Sequence, residues 1–361
     1  MRTLRKRVVG AACLGAVGLV AAVVASGASG HRSASIKIAF LMPCSTCADR
    51  FEHQDKPLFI RAVKKLDSSI EVIANNAEGS GATQQAQAEA ALTNGAKVLV
   101  MSPIEVQAGA AIVAKAAAEG VPTIAYDGQI TGGAKPVFYV SFQNERVGRL
   151  QATYLATHLK KGATVVMING APDSAPGRQF KAGAHAVLDP LFRSGKLKKG
   201  FEGDAAKFDP ANGQRLMEQA LTKLHDRVGG VLVANDGLAQ AVIVALKARH
   251  LNGKVRVTGQ DATDAGLQQI VLGNQSMTVY KPIKQEAAVA AKVAVALAKG
   301  NTSIVKSVAT TKVNNGTIGV PAKLLTPITV TKSNIRSTVI KDGFTTKAKI
   351  CKGIPKKKCK F

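Results

Sequence analysis

Two runs in the second half of the chain end in charged side chains that could grip a small polar molecule. Val255-Arg256-Val257-Thr258-Gly259 reads as a buried strand followed by Gln260-Asp261-Ala262, and Ser276-Met277-Thr278-Val279-Tyr280 as another followed by Lys281-Pro282. In open α/β sheets, ligands sit beyond the carboxyl ends of the strands. An anionic acceptor and a cationic donor at such ends would suit a molecule rimmed with hydroxyls.

Catalytic chemistry finds less support. There is no HExxH, GxSxG, P-loop or GxGxxG in the right context. The histidines, His31, His53, His158, His185, His225 and His250, lack metal-ligand spacing. Asp261 and Asp264 could in principle pair as glycosidase acids, but a strand end and the following helix suit a ligand contact and a cap better. The expectation is therefore a binding protein, not an enzyme, with no cofactor and no metal.

The elements that must carry these residues alternate. Strands are predicted over 36–42, 70–74, 97–101, 121–126 and 137–142, with helices over 55–66, 83–92 and 105–118 between the first four. After 142 the alternation resumes: helix 144–159, strand 163–168, helix 177–192, helix 211–224, strand 230–233 and helix 238–249. Strand 255–258, helix 263–271, strand 276–280 and helix 282–298 follow, the last with Pro282 in its first turn. Repeated βα units imply parallel sheets covered on both faces by helices. One sheet of more than ten strands is unusual, so two lobes are predicted. The alternation breaks at Val137–Phe142, where strand follows strand and the chain can cross between lobes.

The ends differ in character. Arg2, Arg5, Lys6 and Arg7 precede an uncharged apolar run from Val8 to Ala25 and the small residues Ser26-Gly27-Ala28-Ser29-Gly30. That is the pattern of a secretory signal over residues 1–30, with an uncleaved anchor as the competing reading. Cys13 lies too early in the run for lipid attachment. Net charge is +26, of which the signal carries +4 and the tail 345–361 carries +7, leaving +15 on the folded part. Such a surface favours polyanions. With few aromatics and no recognisable binding motif, nucleic acid is not expected. An anionic envelope surface contacted by the tail is one reading, and a merely solvated tail the other. Export permits disulfides. Cys44, Cys47, Cys351 and Cys359 allow three pairings, and proximity favours Cys44–Cys47 with Cys351–Cys359.

In order and spacing, several runs resemble the ribose-type periplasmic sugar-binding family. They are Ala125-Tyr126-Asp127, Phe138-Tyr139-Val140-Ser141-Phe142, Asn144-Glu145-Arg146-Val147-Gly148, Ala234-Asn235-Asp236, Gly259-Gln260-Asp261-Ala262, Met277 to Ile283, Leu324 to Ile328, and Asn334 to Phe344. The resemblance covers about 36–344. It implies an α/β fold of two doubly wound parallel-sheet lobes joined by a three-strand hinge, the type I periplasmic binding protein arrangement. The lobes would be 36–142 plus 282–325 and 143–281 plus 326–344, crossed near Phe142, Lys281 and Thr326. It further implies closure around a monosaccharide, xylose or a similar aldose, delivery to an ABC permease of the membrane, and a monomer at the outer face of the cell membrane or in the periplasm. A chemoreceptor or sensor-kinase partner, or a divergent paralogue with another ligand, would leave the same fold. An exported chain without an N-terminal DNA-binding helix pair argues against a transcription regulator.

Residue by residue, the resemblance implies that Arg50 donates to hydroxyls and Phe51 stacks on a sugar face. Phe208, before Asp209-Pro210, would be the opposing aromatic. Asp127 and Asp261 would accept, Asn235 would donate and accept, and Lys281 would donate. Helix capping is the alternative for such strand-end residues. Asp173 follows Pro172 where the family carries an acid and amides; here the acid comes one position early and Pro176 closes the run. Gly128 stands where an Arg follows Asp127, and Gln143 where an Asp often stands. Each lost polar contact to a hydroxyl is worth roughly 0.5–1.5 kcal/mol, so the sugar's identity is left open.

Overall fold

Residue pattern and backbone agree closely in the first lobe. The computed structural model describes residues 35–45 and 50–361. The expected signal segment, Cys13 and Cys47 lie outside the described residues. In the first lobe, β1 (Lys37–Met42), β2 (Glu71–Asn76), β3 (Ala96–Met101), β4 (Thr123–Tyr126) and β5 (Phe138–Phe142) alternate with α1 (Lys56–Leu66), α2 (Gly81–Thr93) and α3 (Val106–Ala118). The second lobe continues with α4 (Asn144–His158), β6 (Ala163–Asn169), α5 (Ala175–Arg193), β7 (Leu197–Asp204), α6 (Pro210–Leu224), β8 (Gly230–Val233) and α7 (Asp236–Ala248). β9 (Arg256–Val257), α8 (Asp264–Leu272), β10 (Thr278–Tyr280) and α9 (Ile283–Ala298) come next, then α10 (Ile304–Val308), β11 (Thr311–Asn314), β12 (Gly319–Leu325), β13 (Ile328–Val330) and α11 (Lys347–Cys351).

Two sheets organise these elements. The larger runs β11-β12-β5-β4-β3-β1-β2, parallel except for β11. The smaller runs β7-β6-β8-β9, all parallel. β10 pairs antiparallel with β13 and meets the second sheet through a bridge between Gln260 and Val279. The strand order reverses at β1/β3 in one sheet and at β6/β8 in the other, which are the points where such sheets open a crevice. The chain passes from one sheet to the other after β5, after β10 and after β12.

The burial pattern explains the layers. β1, β3, β4 and β5 are apolar almost throughout, as strands covered on both faces must be. Phe40, Phe59 and Tyr126 meet on one face, Phe40 stacking on Phe59 at 4.6 Å and meeting Tyr126 edge-on at 5.1 Å. α1 and α9 cover that face, and residues of α2 and α3 cover the other. Burying each large apolar side chain contributes about 1.5–3 kcal/mol. In the second lobe α6 and α7 cover one face and α4 and α5 the other. α4 and α5 approach closely because Gly148 faces the Phe180 carbonyl and Gly183 faces the Glu145 carbonyl; a methyl at either would overlap backbone.

Three departures from the sequence reading have physical causes. β7 was not anticipated, because Leu-Lys-Lys-Gly-Phe-Glu-Gly-Asp is an edge strand, mostly half-exposed or exposed, without an apolar run. β11 is missed for the same reason. The segment 345–361, expected as a basic tail, instead folds onto the second lobe. Ile350 and Cys359 are buried beside Leu267, Ile270, Val271 and Val339, and Cys351 joins Cys359 with Cα atoms 5.8 Å apart. Two apolar anchors and a short cross-link outweigh the mutual repulsion of exposed lysines.

Candidate functional site

The loops that follow the carboxyl ends of β1, β3, β4, β6, β8, β9 and β10 converge on one cavity of about 440 Å³. This lies within the usual range for small-molecule sites. All eight residues singled out from the sequence line it: Arg50, Phe51, Asp127, Asp173, Phe208, Asn235, Asp261 and Lys281. A neighbouring cavity of about 660 Å³ shares Arg50, Phe208, Asn235 and Asp261 with it, and adds Asp236, Asp264 and Lys349.

The two strand-end acids adopt the same unusual backbone. Asp127 follows β4 with φ +54°, and Asp261 follows β9 with φ +98°. Each N–H still completes the sheet, donating to Val140 and Val279 respectively. Left-handed backbone at a non-glycine residue costs free energy and gathers at functional sites. Here it turns each carboxylate out of its sheet, one from each lobe. Lys281, leaving β10 and 3% exposed, lies between them. Its Nζ is 3.4 Å from an Asp127 oxygen and 3.6 Å from an Asp261 oxygen, and 5.4 Å from the centre of the Phe142 ring.

Arg50 is held more tightly than the sequence suggested. Its Nε and Nη2 donate to the two oxygens of Asp55 at 2.8 and 2.6 Å. Nη2 also donates to Glu286 at 2.6 Å, and Nη1 to Asp127 at 2.9 Å. Four of the five guanidinium N–H bonds thus serve the protein, and one Nη1–H makes no hydrogen bond among the described residues. Asp55 also accepts from the Tyr126 hydroxyl. The guanidinium lies 5.3 Å from the centre of the Phe51 ring.

Two cations and four carboxyls therefore share this buried cluster, and their environments divide them. Burial raises the Asp127 pKa, but Arg50 and then Lys281 outweigh it and hold the carboxyl below its ordinary value. Burial wins at Asp261, where Lys281 only partly opposes the upward shift. Burial also lifts Glu286 well above the usual carboxylate range, against Arg50. Asp127 is thus the firm anion and acceptor.

Asn235 is a helix cap that also lines the cavity. Its Oδ1 accepts from the Leu238 N–H at 2.9 Å, capping α7, while its Nδ2 has no hydrogen-bond partner among the described residues. Behind it Asp236, fully buried, organises three segments. One oxygen accepts from Gln275 Nε2 at 2.8 Å and Thr278 Oγ1 at 2.9 Å; the other accepts from Thr263 N and Oγ1 at 2.9 and 3.2 Å. Burial pushes its pKa up to about 7, with the Gln275 hydrogen bond opposing.

Phe208 rests on bare backbone: a methyl on Gly170 would overlap its ring. Asp173 is exposed on the turn before α5. Gly128 packs beside Pro103, whose Cδ would lie 2.9 Å from an added Cβ, so a larger residue there requires that neighbour to shift. Sequence reasoning missed Asp55, Tyr126 and Glu286. The one signal for Glu286 was its position on the buried side of α9, among Ile283, Ala287 and Ala290.

Residues 38–302 match the family described as periplasmic binding protein domain. The chain is 40% identical to the D-xylose-binding periplasmic protein of Escherichia coli K12 over 291 residues, covering 81% of this chain and 86% of that one. It is 32% identical to the multiple sugar-binding periplasmic protein SbpA of Azospirillum brasilense, covering 75% and 80%. Among solved structures, a carbohydrate transporter solute-binding protein from Chloroflexus aurantiacus in complex with D-glucose superposes with TM-score 0.77 at 29% identity, covering 87% and 97%. The type I two-lobed α/β fold and the family match agree, and the chain belongs to the periplasmic binding protein family.

Proposed function

We propose that this protein is an extracytoplasmic solute-binding protein that captures a monosaccharide, xylose or a similar aldose, and hands it to an ABC importer. The observation that carries the reading is the cavity itself. Asp127 and Asp261 project from opposite sheets, with Lys281 between them and Phe51 and Phe208 in the walls. A ring with apolar faces and a hydroxyl rim matches aromatic walls and charged acceptors. The names of relatives from several bacteria, including D-xylose-binding and multiple sugar-binding proteins, support the same class.

In this reading the lobes are 36–142 plus 282–325 and 143–281 plus 326–344, rotating about crossings near Phe142, Lys281 and Thr326. The unit is a monomer, exported to the periplasm or the outer face of the membrane, and it is not an enzyme. Asp261, Asn235 and Lys281 contact the sugar from one side of the cleft, Arg50, Phe51 and Asp127 from the other. Phe208 and Asp173 close the rim. Gly128 beside Pro103 supports a second reading, a paralogue whose altered rim selects another small polyol.

The test is calorimetric titration of the purified protein, unfolded and refolded to strip carried-over ligand, with xylose, ribose, arabinose, glucose and galactose. Micromolar or tighter binding of one aldose is expected, on the order of −8 kcal/mol. A protein that melts cooperatively yet binds none of the five would overturn the aldose assignment and leave the other-ligand reading.

A further inference from the structure

We propose that residues 345–361 form a rigid cationic platform that docks the second lobe on a bilayer of anionic phospholipid. Seven lysines lie between 347 and 360, and no acidic side chain occurs between 343 and 361. All seven are exposed. None has an ion-pair partner among the described residues, whereas Lys56, Lys115, Lys181 and Lys299 all pair with acids. Asp264 and Asp342, which touch the entry to the segment, accept from Thr345 and Tyr280 instead.

The lysines are held in place. Ile350 is fully buried, Cys359 is 7% exposed, and the Cys351–Cys359 link closes the loop that carries Lys352 and Lys356 to Lys358. Gln268 donates to the carbonyls of Lys349 and Lys352, and Arg336 to that of Phe361. A fixed array needs little further ordering on contact.

The surface is also amphipathic. Ile354 and Phe361 stay half-exposed among the lysines, with Lys347 Nζ 5.8 Å from the Phe361 ring centre. Cationic heads around short apolar side chains fit the headgroup–acyl boundary of a bilayer better than a fully hydrated polyanion. Lys349 borders the cavity that adjoins the site, so docking would hold one end of the cleft near the membrane.

Near an anionic leaflet each lysine raises affinity roughly fivefold, less where salt screens it. The test is cosedimentation of the purified protein lacking the signal segment 1–30 with vesicles of phosphatidylglycerol and phosphatidylcholine, against phosphatidylcholine alone, at about 0.1 M salt. Replacing Lys352, Lys356, Lys357 and Lys358 by Gln should cut binding at least tenfold, on the order expected from the per-lysine factor. Replacing Lys64, Lys65, Lys97 and Lys135, all exposed on the first lobe, should change it by less than about twofold. Thermal melts and sugar titrations should match the parent in both. If the fourfold platform variant melts early, Lys356→Gln with Lys357→Gln serves alone and should still lose several-fold. Three results overturn the proposal: no sedimentation of the parent with anionic vesicles, equal losses in both variants, or retention on isolated anionic wall polymer but not on vesicles.

Discussion

Asp236→Asn tests whether burial outweighs hydrogen bonding at the root of the second lobe's binding loops. Asp236 accepts four hydrogen bonds, yet burial lifts its pKa from 3.8 to about 7. In the folded protein it is then protonated below that pH, while in the unfolded chain it ionises near 4. Between those values the native state binds the extra proton, so stability falls as pH rises, by about 1.4 kcal/mol per unit. The contribution is full below pH 4 and lost as pH passes 7, about 4 kcal/mol over the whole window. Asn carries no such proton. Its amide nitrogen meets donors, but Gln275 Oε1 has no partner and can turn to accept, giving an offset that does not vary with pH. Urea unfolding of both proteins at pH 5 and pH 8 isolates the group together with its coupling to nearby Asp261, because the remaining titrations are shared. The stability of wild type relative to Asp236→Asn should fall by about 2.6 kcal/mol between those pH values. A difference that stays constant with pH would show that the four donors keep Asp236 ionised and that the burial argument fails.

Arg50→Met would strand Asp55, Asp127 and Glu286 without their shared guanidinium. Removing one partner of such a cluster costs about 3–5 kcal/mol. A thermal scan should show a Tm drop of roughly 5 °C or more, and a drop under about 2 °C would mean the carboxyls are relieved by protonation or water. Phe208→Ala should weaken monosaccharide binding about tenfold or more by loss of the aromatic face while the protein still melts cooperatively, at a somewhat lower Tm because the ring packs against the lobe core; equal affinity by calorimetry would remove the ring from the site. Gly148→Ala forces a methyl against the Phe180 carbonyl and should cost about 3 kcal/mol in urea unfolding. A neutral result would show that α4 and α5 can separate freely.

Much of this architecture is legible in the sequence. Lys37–Met42, Ala96–Met101 and Phe138–Phe142 announce themselves because strands buried on both faces must be continuously apolar. The eight candidate residues line one cavity because each sits at or near a strand's carboxyl end or a loop beside it, where a parallel fold gathers its chemistry. What stayed hidden depends on contacts distant in sequence. Nothing near Glu286 reveals that it meets Arg50, 236 positions away. Nothing in a lysine-rich ending reveals that Ile350 will anchor it. Edge strands such as Leu197–Asp204 escape because exposure removes the pattern that marks their neighbours.

Lys281 belongs to a crossing strand and touches carboxylates that belong to different sheets. Rotation of one sheet unit against the other changes the separation of the two carboxylates that this ammonium bridges. The ammonium is therefore a spring whose stiffness is electrostatic, set by the protonation of Asp261 on one side and the firm charge of Asp127 on the other. On the proposed function, loading and unloading rates should then depend on this internal pair as well as on the cargo. Two variants with the same equilibrium affinity can release cargo at different speeds, and acidification, by neutralising Asp261 first, softens the side of the spring that faces the second lobe.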